Sequence, residues 1–255
     1  MDLKPVIVTA LYDIGRDKWK NYTASYGGFL DWMERVLAID CDIVVFTDKF
    51  EKEIKERRAK YNLDSDLVII VKPLEELYAY QRYYDKLNEL MNSGTFKAKI
   101  QFEVPEMTKP LYNVIMFNKI FFMTEVFEMN YIESDILLWV DAGCFREEIK
   151  TDKWPNPSKL NSEKPMFFSH SKDFNILDWE YQAMSQIRNI QGGCFTCPSN
   201  EISELADSFE RVVDYCLREG FIGSDEKILD IMYVLDKEKY SITKCGWREY
   251  YNILK

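Results

Sequence analysis

The sequence predicts an α/β fold in which a mixed, mostly parallel sheet is flanked by helices. Three observations carry this. Short apolar runs of strand length alternate with helical segments along the chain. The run Ile136-Leu137-Leu138-Trp139-Val140 is apolar at every position, as a strand buried on both faces must be. It stops abruptly at Asp141, followed by the small residues Ala142 and Gly143. A carboxylate at the carboxyl end of such a strand sits where open α/β sheets place their ligands. Asp is equally a common turn residue, so spacing alone leaves a site and a strand terminator as equal readings.

Taken in order, the expected strands are Val6-Ile7-Val8, Ile43 to Phe46, Leu67 to Val71, Ile136 to Val140 and Met166-Phe167-Phe168. The first two run directly into polar residues, Thr9 to Arg16 and Thr47-Asp48, so three polar ends can gather on one edge of the sheet. Tyr26 to Leu37 carries apolar residues at helical spacing, Phe50 to Tyr61 is a charged, solvated helix, and Leu74 to Met91 is a Tyr-rich amphipathic stretch. Lys109 to Tyr131 is apolar nearly all round, which marks a buried helix. Lys119 stands inside it, a turn from Ile115, Phe122 and Met123. Its amine either snorkels to solvent or reaches a buried phosphate or carboxylate, and the rarity of unpaired buried Lys favours the second.

Further on, Gln191-Gly192-Gly193 precedes a helix opening at Pro198-Ser199-Asn200-Glu201 and running to about Glu219. Adjacent glycines there suit a close backbone approach or a plain turn. Gly223-Ser224 opens another helix, with Ser224 as its N-cap and Asp225 and Glu226 at the positive end of its dipole. One acid suffices for that role, and the second is free to act as a base.

The composition constrains function by exclusion. A formal charge of −10 disfavours generic nucleic-acid binding, which draws its affinity from Lys and Arg on phosphates. No apolar stretch reaches the roughly 18 residues of a membrane helix, and the chain opens without a signal-peptide pattern. The six Cys are scattered, unlike a secreted disulfide scaffold, so a cytoplasmic, reduced setting is expected, with peripheral membrane contact left open. Cys194 and Cys197 have C-x-x-C spacing, but without a second pair or a nearby His this is not read as zinc. No G-x-G-x-x-G and no P-loop is present.

Several stretches together resemble the bacterial HtrL/YibB family, also called WlaTC/HtrL glycosyltransferases. These are Thr9-Ala10-Leu11-Tyr12-Asp13-Ile14-Gly15-Arg16, Val45-Phe46-Thr47-Asp48, Pro110-Leu111-Tyr112 with Lys119, Trp139-Val140-Asp141-Ala142-Gly143, Gln191-Gly192-Gly193 and Asp225-Glu226, in that order. The resemblance runs from the first strand to about residue 235. It implies a GT-A-like, Rossmann-like nucleotide-binding fold in a single domain, residues 1–255, with a nucleotide-binding half of about 1–145 and an acceptor and sugar half of about 146–255.

The implied activity is transfer of a sugar from a nucleoside diphosphate sugar to a hydroxyl acceptor, a cell-surface glycan or glycolipid precursor. Thr9, Ala10, Tyr12, Asp13, Arg16, Asp48 and Lys119 would hold the nucleotide. His170, Gln191, Gly192 and Gly193 would face the sugar or acceptor, and Asp225 or Glu226 would be the catalytic base, Asp225 first. Asp141 matches the first acid of a D-x-D motif and would bind Mn²⁺ or Mg²⁺, but Gly143 stands where the second acid belongs. His170, Asp135 or Asp225 could complete such a site. Two other readings stand beside this one: a sugar nucleotidyltransferase, and a non-catalytic nucleotide- or sugar-binding protein.

Overall fold

A computed structural model describes residues 3–21, 25–148 and 153–255. Seven strands form one sheet: β1 (Pro5–Leu11), β2 (Asp42–Thr47), β3 (Leu67–Val71), β4 (Ile136–Val140), β5 (Met166–Ser169), β6 (Ile190–Pro198) and β7 (Ser241–Lys244). Their order is β3-β2-β1-β4-β6-β5-β7. β1 pairs in parallel with both β2 and β4, β2 with β3, and β5 with β7. β6 is antiparallel to both its neighbours and alone runs against the rest. The sheet is therefore mixed and mostly parallel, as the sequence pattern predicts.

The helices are α1 (Tyr26–Leu37), α2 (Glu51–Arg58), α3 (Tyr78–Asn92), α4 (Gly94–Lys99), α5 (Pro105–Thr108), α6 (Pro110–Met129), α7 (Trp179–Met184), α8 (Ile202–Arg218), α9 (Asp225–Leu235) and α10 (Tyr250–Ile253). Strand side chains alternate between two cores, as the two-residue period of a strand requires. Val6, Val8, Val44, Phe46, Leu137 and Trp139 pack with α3, α6, α8 and α9 on one face. Ile7, Ile43, Val45, Ile136, Leu138 and Val140 pack with α1 and α2 on the other. At roughly 25 cal/mol per Å² of apolar surface removed from water, these two layers dominate the stability of the fold.

The sequence pattern misses two strands. β7 is short and carries only one large apolar residue, Ile242. β6 contains Gln191-Gly192-Gly193, read as a close backbone approach or a turn and not as part of a strand, because glycines lower strand propensity. Within β6, Cys194 joins one core and Cys197 the other, so the C-x-x-C pair points to opposite faces of the sheet. Among the described residues no helix is long and apolar enough to cross a membrane.

The chain enters the sheet at β1, steps outward through β2 and β3, then crosses back to β4 on the other side of β1. The strand order thus switches direction between β1 and β4. Outside the carboxyl ends of two such strands an open α/β sheet leaves a crevice. Leu11 and Val140 end those strands, and Asp141 is the next residue after β4.

Candidate active site

A cavity of about 520 Å³ opens at this switch point. Its floor is built by the strand ends: Ala10, Leu11 and Tyr12 from β1, Trp139 and Asp141 from β4, and Gln191 and Gly193 from β6. Lys119 from α6 and Asp225 and Glu226 from α9 close the back. Tyr26, Phe29, Tyr112, Ile115 and Met116 supply apolar wall.

Helix α6 starts with Pro110 at its first turn, where a missing N–H costs nothing. It then buries most of its length, which carries Lys119 into the protein with its side chain only 3% exposed. The Lys119 Nζ lies 3.0 Å from Asp141 Oδ1, 2.7 Å from Asp225 Oδ2 and donates to the Gly192 carbonyl oxygen at 2.9 Å. Burial works against its charge, but Asp141 and Asp225 outweigh burial and hold its pKa above the ordinary lysine value. Of the two destinations open to Lys119, the structure shows carboxylates.

Asp141 is fixed from several sides. Its N–H donates to the Gly193 carbonyl at 2.9 Å, extending the β4–β6 ladder by one step. The Trp139 indole Nε1 donates to Asp141 Oδ1 at 2.7 Å. Its side chain remains 34% exposed, facing the cavity. Asp225 is buried, and burial raises its pKa against the lowering effect of Lys119.

Glu226 accepts from the Gly192 N–H at 3.1 Å and pairs with Arg188 Nε at 3.2 Å. Burial first, and the Asp225 charge second, push its pKa up to about 7, with Arg188 pulling the other way. Arg188 also bridges to the buried Glu106 at 2.7 Å.

Glycine 192 has a steric reason. A Cβ there would lie 2.3 Å from Asp225 Oδ2 and 3.0 Å from Glu226 Cγ. No side chain fits between β6 and the start of α9, so the close approach of backbone to both acids requires glycine. The approach is held by Asp230 on α9, which accepts from the Ile190 N–H at 2.8 Å and the Asn189 N–H at 3.1 Å. Ser224 occupies the N-cap position of α9 as expected, yet its hydroxyl makes no capping bond.

The other expected residues distribute as follows. Ala10, Tyr12 and Arg16 line the cavity with Lys119, Asp141, Gln191, Gly193, Asp225 and Glu226. Tyr12 is buried and stacks on Phe122 at 5.9 Å. Thr9 does not line the cavity: it sits inside β1, fully buried, paired in register with Val45. Asp48 and Asp13 also stay outside the lining. Asp48 accepts from the Asp13 N–H at 3.2 Å, and Asp13 pairs with Lys49 and accepts from the Gly15 N–H at 2.9 Å. Together they shape the turn after β1, where Gly15 takes a φ of 73°. His170 is exposed and stacks on Trp247 at 5.8 Å, outside the cavity lining.

Asp141 was expected to bind a divalent cation, which requires several oxygen ligands. The oxygens gathered here, from Asp141, Asp225 and Gly192, already surround the Lys119 ammonium. Asp135 lies at the opposite end of β4, accepting from the Lys4 N–H. A Cβ at Gly143, the position of the absent second acid, would meet the rings of Phe29 and Trp32 at 3.3 and 3.4 Å. Among the described residues no group of three or more His, Cys, Asp or Glu could hold a metal ion. As arranged, these residues do not fit Mn²⁺ or Mg²⁺.

The motif reading passed over Glu106, Arg188, Arg146, Arg248 and Tyr250, all of which line the cavity. They come from loops and short helices without periodic pattern. Only the apolar residues around Glu106 hint that it is buried.

The family model described as "Bacterial protein of unknown function (HtrL_YibB)" matches residues 4–255. No curated protein matches the chain significantly. Among solved structures, the chain is similar to the glycosyltransferase GlyE of Streptococcus pneumoniae TIGR4, at 13% identity and a TM-score of 0.47, covering 94% of this chain and 45% of that one. It is similar to mouse xyloside xylosyltransferase 1 in its apo form, at 10% identity and a TM-score of 0.47, covering 100% and 92%. It is also similar to 4-diphosphocytidyl-2C-methyl-D-erythritol synthase of Anaerococcus prevotii DSM 20548, at 13% identity and a TM-score of 0.46, covering 97% and 91%.

Proposed function

This chain belongs to the HtrL_YibB family, and we propose that it is a glycosyltransferase that moves a sugar from a nucleoside diphosphate sugar to a hydroxyl of a glycan acceptor. The observation that carries the reading is the Lys119–Asp141–Asp225 cluster at the β1/β4 switch point, with Glu226 beside it, inside one cavity. Cavities of this size accommodate a nucleotide-sized ligand, orienting it with a few convergent polar groups among apolar walls.

In this reading the aromatic wall formed by Tyr12, Tyr26, Phe29 and Tyr112 receives the base and ribose. Asp141, the more exposed of the two acids on Lys119, accepts hydrogen bonds from hydroxyls of the donor sugar. Gly193, close to both Asp141 and Tyr250, leaves room for the sugar ring.

Glu226 is the better general base than Asp225. An efficient base has a pKa near the working pH, and Glu226 is pushed up to about 7. Asp225 instead spends its charge on Lys119. Glu226 takes the proton of the acceptor hydroxyl as that oxygen attacks the anomeric carbon, and the nucleoside diphosphate departs. Arg188, paired with both Glu226 and Glu106, keeps the base oriented.

Thermal unfolding with UDP-, GDP- and dTDP-sugars tests the reading. At least one donor should raise Tm by several degrees, as ligand linkage requires at concentrations well above Kd. Stabilisation by none of these donors would contradict it.

A further inference from the structure

The charge around the cavity is unevenly arranged. The chain carries a net −10, yet Arg16, Arg146 and Arg248 all reach the same cavity from separate segments. Arg16 comes from the turn after β1, Arg146 from the loop after β4 and Arg248 from the loop after β7. Each guanidinium lies over an aromatic ring: Arg146 over Trp32 at 4.5 Å, Arg16 over Phe29 at 5.0 Å and Arg248 over Trp247 at 5.4 Å. Phe29 and Trp32 themselves pack edge to face at 5.3 Å, so two of the three cations share one platform. Stacking of this kind orients a guanidinium through its flat face, which for Arg146 and Arg248 leaves the N–H edge for an anion.

Arg146 and Arg248 pair with no carboxylate among the described residues. Both line the cavity, near enough for their charges to be felt. Partial desolvation of the Arg146 head lowers its pKa, and the charges of Arg248 and Arg16 lower it further. Holding like charges together costs energy unless an anion joins them.

Arg248 is also held in place against its own preference. Its φ of 62° is in the left-handed region, which a non-glycine residue enters only where its surroundings hold it. Gln191 holds it there. The Arg248 N–H donates to Gln191 Oε1 at 2.8 Å, and Gln191 Nε2 donates to the Gly246 carbonyl at 2.9 Å. The strand residue thus clamps the loop that presents the cation.

Lys119 cannot serve as the missing countercharge, because two carboxylates already occupy it. We infer that the diphosphate of the donor is bound without a divalent cation, by the Arg146 and Arg248 guanidiniums with Arg16 beside them, while the Lys119 ammonium already neutralises Asp141 and Asp225. The inference rests on the nucleotide-sugar reading above and specifies how its anion is recognised. The planar fork of arginine matches two phosphate oxygens at once. On transfer, the charge that develops on the leaving diphosphate falls on the same guanidiniums.

Calorimetric titration of the full chain with UDP, GDP and dTDP, in EDTA and again with Mn²⁺, tests this. At least one diphosphate should bind in EDTA, with Mn²⁺ changing Kd by less than about threefold. Arg146→Ala and Arg248→Ala should each weaken it about 10- to 100-fold, the worth of charge-assisted hydrogen bonds. Arg146→Lys should fall between, and the matching nucleoside should bind all forms alike. Unchanged thermal unfolding will show that the exposed Arg146 is dispensable for folding. Binding only with Mn²⁺, or binding indifferent to both alanine variants, would overturn the inference and leave the nucleotide-sugar reading intact. Binding of no diphosphate in either condition would overturn both.

Discussion

Lys119 and Asp225 form an ion pair of 2.7 Å with side chains only 3% and 5% exposed, joining the middle of α6 to the first turn of α9. Such a pair repays its desolvation only when further bonds complete it. Here Asp141 and the Gly192 carbonyl do so. The same contacts set the relative positions of β4, β6 and α9, so the charges that shape the cavity also hold its walls together.

Removing the ammonium should therefore cost stability as well as activity. Lys119→Met leaves two carboxylates facing each other and should lower unfolding free energy by about 3–5 kcal/mol. The double variant Lys119→Met/Asp225→Asn should lose less than the sum of the single losses. Urea unfolding of the four proteins in that cycle measures both.

Gly192→Ala should be more damaging than Gly193→Ala. The new Cβ at 192 would start 2.3 Å from Asp225 Oδ2, whereas at 193 it would meet the Tyr250 hydroxyl at 3.0 Å. The first must displace a carboxylate that is pinned by Lys119, at about 1–3 kcal/mol of overpacking. Turnover should fall at least tenfold for Gly192→Ala, and nucleoside diphosphate affinity should stay within a few-fold. Comparing kcat with Kd for the two variants checks this.

Glu226 gives the site a pH signature. Its pKa is about 7 in the folded chain against an ordinary glutamate value of 4.5. The folded state therefore holds the proton more tightly than the unfolded one. The stability tied to this group is fully present below pH 4.5 and is lost as the pH rises through 7, by on the order of 3 kcal/mol. Asp230, raised by burial to about 6, adds a change of the same sign at slightly lower pH. Denaturant unfolding at pH 5 and pH 8 should show wild type losing more stability than Glu226→Gln. Activity should run the other way, with kcat/KM rising through an apparent pKa near 7 as the base is freed of its proton.

Much of the architecture was legible in the sequence because buried parallel strands are written as unbroken apolar runs. Ile136–Val140, buried along its whole length, is observed at the predicted boundaries for that reason, and the half-buried edge strand Leu67–Val71 is too because its run is equally apolar. β6 was not legible, because its glycines serve a steric purpose that only α9, more than thirty residues later, reveals. Lys119 stood out as a cation inside an apolar helix, Asp141 as the acid that ends an apolar strand, and Asp225 and Glu226 as paired acids at a helix start, and they converge. Thr9 and Asp48 looked alike in sequence to the cavity residues beside them. Strand alternation and a turn hydrogen bond direct them elsewhere. The loop arginines carry no periodicity, so their convergence depends on chain crossings that a local pattern does not encode.

The central claim is that this cavity cleaves a nucleoside diphosphate sugar, and one measurement addresses it most directly. Nucleoside diphosphate release should be followed from UDP-, GDP- and dTDP-sugars, with wild type and with Asp141→Asn. The account predicts that wild type releases the diphosphate from at least one donor, and that folded Asp141→Asn does so roughly 10²–10³ times more slowly, in line with removal of a preorganised polar group. Release from no donor, or full activity in Asp141→Asn, would contradict it.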